Sequence, residues 1–336
     1  MRVSVIGAGI AGLTCALEFA ARGVPVEVFE RRAQPGAGMC SWHAGGMLAP
    51  WCERESSEAL IAQLGNESLP WWRAHFAGTR VNGTLVLAHG RDRAELAQFG
   101  RRTEAFERVG APEIGALEPE LAGRFSDGLY FPTEGHLDPR AALAALAARL
   151  QSLAVPIHYG TEVQATRLAG RAVVDCTGLA ARAQLADLRG VKGEMLLLHL
   201  PELTLQRPVR VLHPRLPVYV VPRAAGVFLV GATMIESDEE TRISARSMLE
   251  LLSAAYALHP AFGEARILEI GTGVRAAFPD NLPRLRWQGA TLYVNGLYRH
   301  GFLLAPALAR RAVAAVLEGR HFPEVMDADP GQRRLA

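Results

Sequence analysis

The sequence predicts an α/β protein in which a doubly wound, parallel-sheet domain is interrupted by an α+β segment built on an antiparallel sheet. Three observations predict it. Residues 2–30 read as strand, glycine turn, helix, strand and acid. Residues 172–178 read as a buried strand that runs into a second glycine turn. Residues 192–231 switch to short, closely spaced strands separated by Pro and Gly.

The first unit is Met1-Arg2-Val3-Ser4-Val5-Ile6, then Gly7-Ala8-Gly9-Ile10-Ala11-Gly12, then an apolar helical pattern to Arg22-Gly23, then Val26-Glu27-Val28-Phe29 ending on Glu30. This is the Rossmann-like dinucleotide-binding pattern. Gly7 permits the tight turn, Gly9 lets backbone approach a pyrophosphate, and Gly12 lets the helix sit close on the strand. The helix N-terminus, with Ile10 and Ala11, offers unpaired N–H groups to phosphate. Glu30, 18 residues after Gly12, can accept hydrogen bonds from a ribose diol and repels a 2′-phosphate, which disfavours NADP.

Residues 35–50 are rich in Gly and Ala, as expected of backbone packed closely against a ligand. Residues 58–76 read as a helix whose Trp71 and Trp72 belong to the core, residues 81–88 as a strand, and residues 91–109 as a charged, exposed helix. Asp138-Pro139 reads as an N-cap and first helical residue opening residues 140–153, and residues 155–159 as a strand. The Ala172–Gly178 strand is expected to return beside the first strand, near the pyrophosphate. Strands follow at 194–200, 209–212, 218–221 and 227–231, a helix at 244–258 and a strand at 292–295. An apolar helix runs from about 305 to 317, with Pro306 in its first turn. The cofactor domain is therefore expected to be discontinuous, over 1–80, 137–190 and 271–336, with the substrate domain over 81–136 and 191–270.

The composition excludes other classes. A net charge of +2 offers no electrostatic case for nucleic acid. No apolar run reaches the roughly 20 residues of a membrane helix. A strand beginning at residue 2 leaves no room for a signal peptide, so a cytoplasmic protein is expected. Cys15, Cys40, Cys52 and Cys176 show no metal spacing and read as buried thiols in a reducing compartment. Lys192 is the only lysine.

Three features favour FAD over NAD. There is one GxGxxG and no second glycine motif for NAD(P)H. The 174–178 strand fits a flavoprotein layout. The Gly296–Gly301 loop feeds a helix whose N-terminus would stabilise negative charge on the N1/O2 edge of a reduced isoalloxazine.

Several segments together resemble the D-amino-acid oxidase superfamily, and most closely its glycine oxidases. They are residues 5–13, Ala44-Gly45-Gly46-Met47-Leu48-Ala49, Val191-Lys192-Gly193-Glu194, Tyr219-Val220-Val221-Pro222-Arg223, Gly231-Ala232-Thr233-Met234, and residues 296–306. The resemblance runs nearly the whole length and in order. It implies an FAD enzyme that moves hydride from the α-carbon of an amino acid to flavin N5. The imine hydrolyses to an oxo acid and ammonia, dioxygen reoxidises the flavin to give hydrogen peroxide, and in thiamine biosynthesis the imine itself feeds the thiazole ring. Glycine or another small amino acid is the implied substrate. A D-amino-acid oxidase or dehydrogenase of broader specificity and a non-catalytic FAD-binding assembly protein stay open, as does a homo-oligomer.

The resemblance also implies site residues. Arg275 matches the arginine that clamps the substrate carboxylate, a task suited to a planar, bidentate fork. Tyr219 matches a hydroxyl that helps bind the carboxylate, Met234 the residue over the small substrate side, and Arg299 a second active-site arginine. Members usually carry proline directly after the clamp; Ala276 stands there instead. The cofactor set is Gly7, Gly9, Ile10, Ala11, Gly12, Glu30, Arg31, Ser41, Ala44, Gly45, Gly46, Met47, Val163, Thr177, Gly178, Arg299, His300, Gly301, Phe302 and Leu303. No metal is implied. Some members tether FAD through a C-terminal cysteine; no cysteine follows Cys176, so FAD is expected to bind non-covalently.

Overall fold

The computed structural model describes residues 1–327 apart from 37, 169, 214–216, 240 and 241. In chain order the elements begin with β1 (Val3–Ile6), α1 (Ile10–Ala21), β2 (Val26–Glu30), β3 (Met47–Leu48), α2 (Pro50–Arg54), α3 (Ala59–His75), β4 (Thr84–Ala88) and α4 (Arg93–Arg102). Then come β5 (Glu107–Gly110), α5 (Ala111–Leu117), β6 (Asp127–Phe131), β7 (Gly135–His136), α6 (Pro139–Ser152), β8 (Ile157–Tyr159) and β9 (Ala172–Asp175). The rest are β10 (Arg189–His199), β11 (Val209–Leu212), β12 (Val218–Pro222), β13 (Val227–Gly231), β14 (Ile235–Glu236), α7 (Ala245–Leu258), β15 (Arg266–Ala277), β16 (Arg284–Gln288), β17 (Thr291–Asn295) and α8 (Gly301–Glu318).

Two large sheets result. The first has the order β16-β17-β9-β1-β2-β8, parallel except for β16 at one edge. Helices cover it: α1, α3, α6 and α8 share one core with the apolar residues of β1, β2, β9 and β17. The β9 strand returns beside β1 in parallel register, Ile6 opposite Asp175, as expected. The second sheet runs β14-β10-β13-β12-β11-β4-β6-β5, with β15 on the other side of β10. It is antiparallel but for the β4–β11 pair, and its core lies under α5 and α7.

Asp138 caps α6 as read, its Oδ1 accepting the N–H groups of Arg140 at 2.8 Å and Ala141 at 3.3 Å. Four expectations need correction. The helix expected over 91–109 ends at Arg102: Thr103 is extended, Ala105 adopts φ 59°, and Glu107–Gly110 pairs with β6 as a strand. Residues 271–277, expected in the cofactor domain, continue the twelve-residue strand β15 of the large sheet. The last helix starts at Gly301, not 305, which puts Pro306 inside it rather than in its first turn. Cys40 is exposed, whereas Cys15, Cys52 and Cys176 are buried.

The interior proline has a structural answer. Proline has no N–H for the carbonyl four residues back, here that of Phe302. Trp72 of α3 fills the vacancy, donating its indole N–H to that carbonyl at 2.7 Å, and Ser68 Oγ accepts the N–H of Ala307 at 3.2 Å. The tryptophan pair is thus core, as read, and it also anchors the first turns of α8.

Candidate functional site

The glycine turn sets one end of the site. Gly7 adopts φ 98°, and a Cβ there would lie 2.8 Å from the Cys176 carbonyl oxygen, where the end of β9 passes. A Cβ on Gly12 would overlap the Gly7 carbonyl, so α1 begins pressed onto the turn. Gly9 ends the turn with no side chain capping the helix, and Ser41 Oγ accepts the Ile10 N–H at 3.2 Å.

Glu30 is buried at the end of β2 and accepts the Ala8 N–H at 2.9 Å and the Arg32 N–H at 3.0 Å. A carboxylate offers about four lone-pair sites, so acceptors remain for a diol. Of the adjacent arginines, Arg32 pairs with Glu30 at 3.4 Å and Arg31 is exposed. Val163 is half-buried in the loop after β8, itself beside β2. Thr177 gives both its N–H and its hydroxyl to Asp175 Oδ1, at 2.9 and 2.6 Å.

A cavity of about 410 Å³ opens from this turn and gathers most of the remaining candidates. Gly9, Ile10 and Ala11 line one end. Ser41, Ala44, Gly45, Gly46 and Met47 line a wall, with Gly178 near β9. Tyr219 and Arg275 come from the large sheet, Met234 from the link between β13 and β14, and Arg299, His300, Gly301, Phe302 and Leu303 from the entry and first turn of α8. Gly7, Gly12, Glu30, Arg31, Val163 and Thr177 lie outside it. Gly45 leaves room for the Tyr219 ring, which would be 2.9 Å from a Cβ there. The N-termini of α1 and α8 converge on this one space, and neither carries a side-chain cap. Two helix N-termini with partial positive charge fit an anionic or electron-rich ligand spanning both.

The sheet side of the cavity holds the charged groups. Arg275 donates Nη1–H to the Thr233 carbonyl at 3.0 Å, and no carboxylate among the described residues lies within ion-pair distance of it. Arg299 is engaged differently: its Nη2 is 2.8 Å from Glu53 Oε2. His300 Nδ1 is 3.2 Å from the same oxygen, and Arg210 of β11 pairs with Glu53 Oε1. Burial opposes ionisation of Glu53, but Arg210, Arg299 and His300 around it hold its carboxyl far below the usual range. Burial pushes His300 down to about 3, so its imidazole is neutral at neutral pH. Burial likewise raises the Tyr219 phenol, which stays protonated. Met234 is half exposed, with its sulfur 3.4 Å from Arg299 Nη1 and 3.6 Å from the Tyr298 hydroxyl.

Sequence reasoning missed Glu53 and Arg210. Glu53 sits on a five-residue helix with no motif around it. Arg210 left a weak signal: an arginine in the apolar strand Val209–Leu212 must be buried, and a buried guanidinium needs a partner. The helix that carries Glu53 is held by Glu134, whose Oε1 accepts the N–H groups of Trp51 at 2.9 Å and Cys52 at 2.7 Å; burial lifts Glu134 to about 6.

Comparison with known proteins bears on the family and the fold. The model of the DAO family, FAD dependent oxidoreductase, matches residues 2–315. A protein of Rhizobium etli, provisionally named thiamine biosynthesis oxidoreductase ThiO, is 54% identical over 325 residues, 96% of this chain and 99% of that one. Glycine oxidase of Geobacillus kaustophilus is 28% identical over 344 residues, covering 90% of this chain and 89% of its own. The crystal structure of glycine oxidase from that organism superposes with a TM-score of 0.79 at 26% identity, over 96% of both chains.

Proposed function

The chain belongs to the DAO family of FAD-dependent oxidoreductases, and on that premise we propose that it oxidises glycine or another small amino acid at Cα. The products are the imine, or the oxo acid and ammonia, with hydrogen peroxide. The observation that carries this reading is Arg275, a guanidinium with no carboxylate partner among the described residues, facing the cavity onto which both helix N-termini open.

The residues divide the work as follows. The α1 N-terminus and the glycine turn would hold the pyrophosphate, Glu30 the ribose, and the α8 N-terminus the flavin's electron-rich edge. FAD, when bound, supplies the two-electron acceptor for hydride leaving Cα and passes the electrons to dioxygen. Arg275 spends one of its five N–H donors on Thr233 and keeps an edge for the substrate carboxylate. The Tyr219 hydroxyl, protonated at neutral pH, adds a donor to the same group. Arg299, tied to Glu53, shapes the wall rather than serving as the main clamp. Neutral His300 adds no charge at the start of α8, leaving the helix dipole to act there. Met234 bounds the site on the substrate side and favours small side chains. No side-chain base is needed when the amine binds neutral. The name carried by the Rhizobium etli relative supports use of the imine in the thiazole branch of thiamine biosynthesis, and with it a cytoplasmic enzyme.

The test is peroxide formation by purified, flavin-loaded protein with glycine, sarcosine, D-alanine and D-proline. Glycine or sarcosine turnover is expected, and Arg275→Ala should keep FAD while raising the substrate KM at least tenfold. Turnover of bulky D-amino acids without glycine would select a second reading, a broader D-amino-acid oxidase. That alternative draws on the extension of the cavity to Gln98, Phe99 and Arg102 of α4. Absence of flavin reduction by every amine would leave only an FAD-binding protein.

A further inference from the structure

The geometry points to Gly193 and Glu194 of β10, acting with Thr233, as a positioning device for the Arg275 guanidinium that sets how tightly a carboxylate is held. This rests on the reading of Arg275 as the carboxylate clamp and goes beyond it by naming what aims the clamp.

Three observations meet here. First, β10 and β15 pair with Val191 opposite Arg275 and Gly193 opposite Gly273. The Arg275 side chain lies along β10, and its guanidinium occupies the place where a Cβ on residue 193 would stand, overlapping Cζ and both terminal nitrogens. Glycine at 193 is therefore the space the arginine head fills. Second, the hydrogen bond that this head makes among the described residues goes to a backbone carbonyl, Thr233 O, at 3.0 Å. Third, Thr233 lies just beyond the end of β13 and is pinned to Glu194 three times. Its hydroxyl donates to Glu194 Oε2 at 3.0 Å and accepts the Glu194 N–H at 2.9 Å, and its own N–H donates to the Glu194 carbonyl at 3.2 Å.

The Glu194 carboxylate that does the pinning is fully buried. Its Oε1 accepts the Ser244 N–H at 3.2 Å and lies 3.3 Å from Nζ of Lys192, the one lysine of the chain. A buried ion pair is a poor way to gain stability, because desolvation offsets most of the attraction. A rigid acceptor for Thr233 explains its presence better. An arginine side chain has several rotatable bonds, and each conformer lost in advance is an ordering cost that carboxylate binding no longer bears.

The test uses the flavin-loaded protein and glycolate as probe, titrated by the change in flavin absorbance. Thr233→Val keeps the shape and the carbonyl but removes the hydroxyl. The glycolate Kd and the glycine KM are expected to rise together, about tenfold or more, with FAD content unchanged; Thr233→Ser should restore both to within about threefold of the parent. Gly193→Ala, which puts a methyl group where the guanidinium lies, should raise the same two constants, and it decides the matter should Thr233→Val not retain flavin. A lower melting temperature with unchanged glycolate affinity in both variants makes the segment merely structural and overturns the inference. Arg275→Ala separates the two readings. If it leaves glycolate binding intact, the clamp itself is lost and the positioning with it. If it abolishes binding while Thr233→Val and Gly193→Ala do not, only the positioning fails.

Discussion

Trp72 and Phe302 are joined by a 2.7 Å hydrogen bond from indole N–H to backbone carbonyl, the carbonyl that Pro306 leaves without a helical donor. The bond is buried and lies in the turn of α8 that lines the cavity. Trp72→Phe should cost about 2 kcal/mol, the penalty of one unsatisfied buried carbonyl, and FAD should dissociate more readily. Melting temperature and flavin retained after gel filtration check both; an unchanged melt would show that water or a shifted backbone satisfies the carbonyl.

Glu53 neutralises more than one cation, since the guanidiniums of Arg210 and Arg299 both face it. Removing its charge leaves buried guanidiniums without a counter-ion. Glu53→Gln is expected to destabilise the protein by about 3–5 kcal/mol. Replacing Arg210 by Met in the same chain should recover a large part of that loss. Chemical denaturation of the single and double variants measures it; strictly additive losses would show that the two residues do not interact.

Acidification should weaken the fold. Burial, aided by Arg223, Arg80 and Arg207, lowers His136 from 6.5 to about 4, and His300 falls to about 3. Above pH 6.5 both folded and unfolded imidazoles are neutral. Below it the unfolded chain takes up the protons first, so stability drops as pH falls from 6.5 towards 4. Glu134, raised from 4.5 to about 6, acts oppositely between those two values because the folded carboxyl binds its proton first. Two histidines outweigh one carboxyl. His136→Gln should make the loss between pH 7 and 5 smaller by roughly 2 kcal/mol. Melting curves at the two pH values decide; an identical slope in the variant would contradict the assignment.

Cys40 is the exposed thiol, and it borders the cavity. Burial raises Cys52 well above the usual thiol range, and Cys176 is raised by its hydrogen bond to Cys15 and by burial. A chromogenic disulfide reagent should therefore titrate one thiol rapidly in the native protein and four after unfolding. FAD should slow the first reaction, and two or more rapid thiols would mean that the interior opens.

Local patterns were legible and distant pairings were not. The β1–α1–β2 unit could be read because every part of it lies within thirty residues. The chemical residues Arg275, Tyr219, Met234 and Arg299 could be placed only through the resemblance, since nothing near them in sequence says that they meet. Strand β15 escaped notice because Ile267, Leu268 and Ile270 are exposed and glycines follow, so no alternation marks it. Glu53 and Arg210 gain their meaning from one ion pair across 157 positions. Pro306 suggested a helix start, because the tryptophan that lets it sit deeper in the helix lies far upstream.

The convergence of α1 and α8 bears on how the protein is made. Residues 10–21 leave the ribosome long before residues 301–318, yet they share one core and line one cavity. The emerging chain therefore has no complete place for FAD through most of its synthesis. Loading must wait for residues 301–318 to emerge, and a chain cut short before residue 301 should bind no flavin at all rather than bind it weakly. Flavin supply would then govern how many finished chains mature, and would have no hold on how fast they are translated.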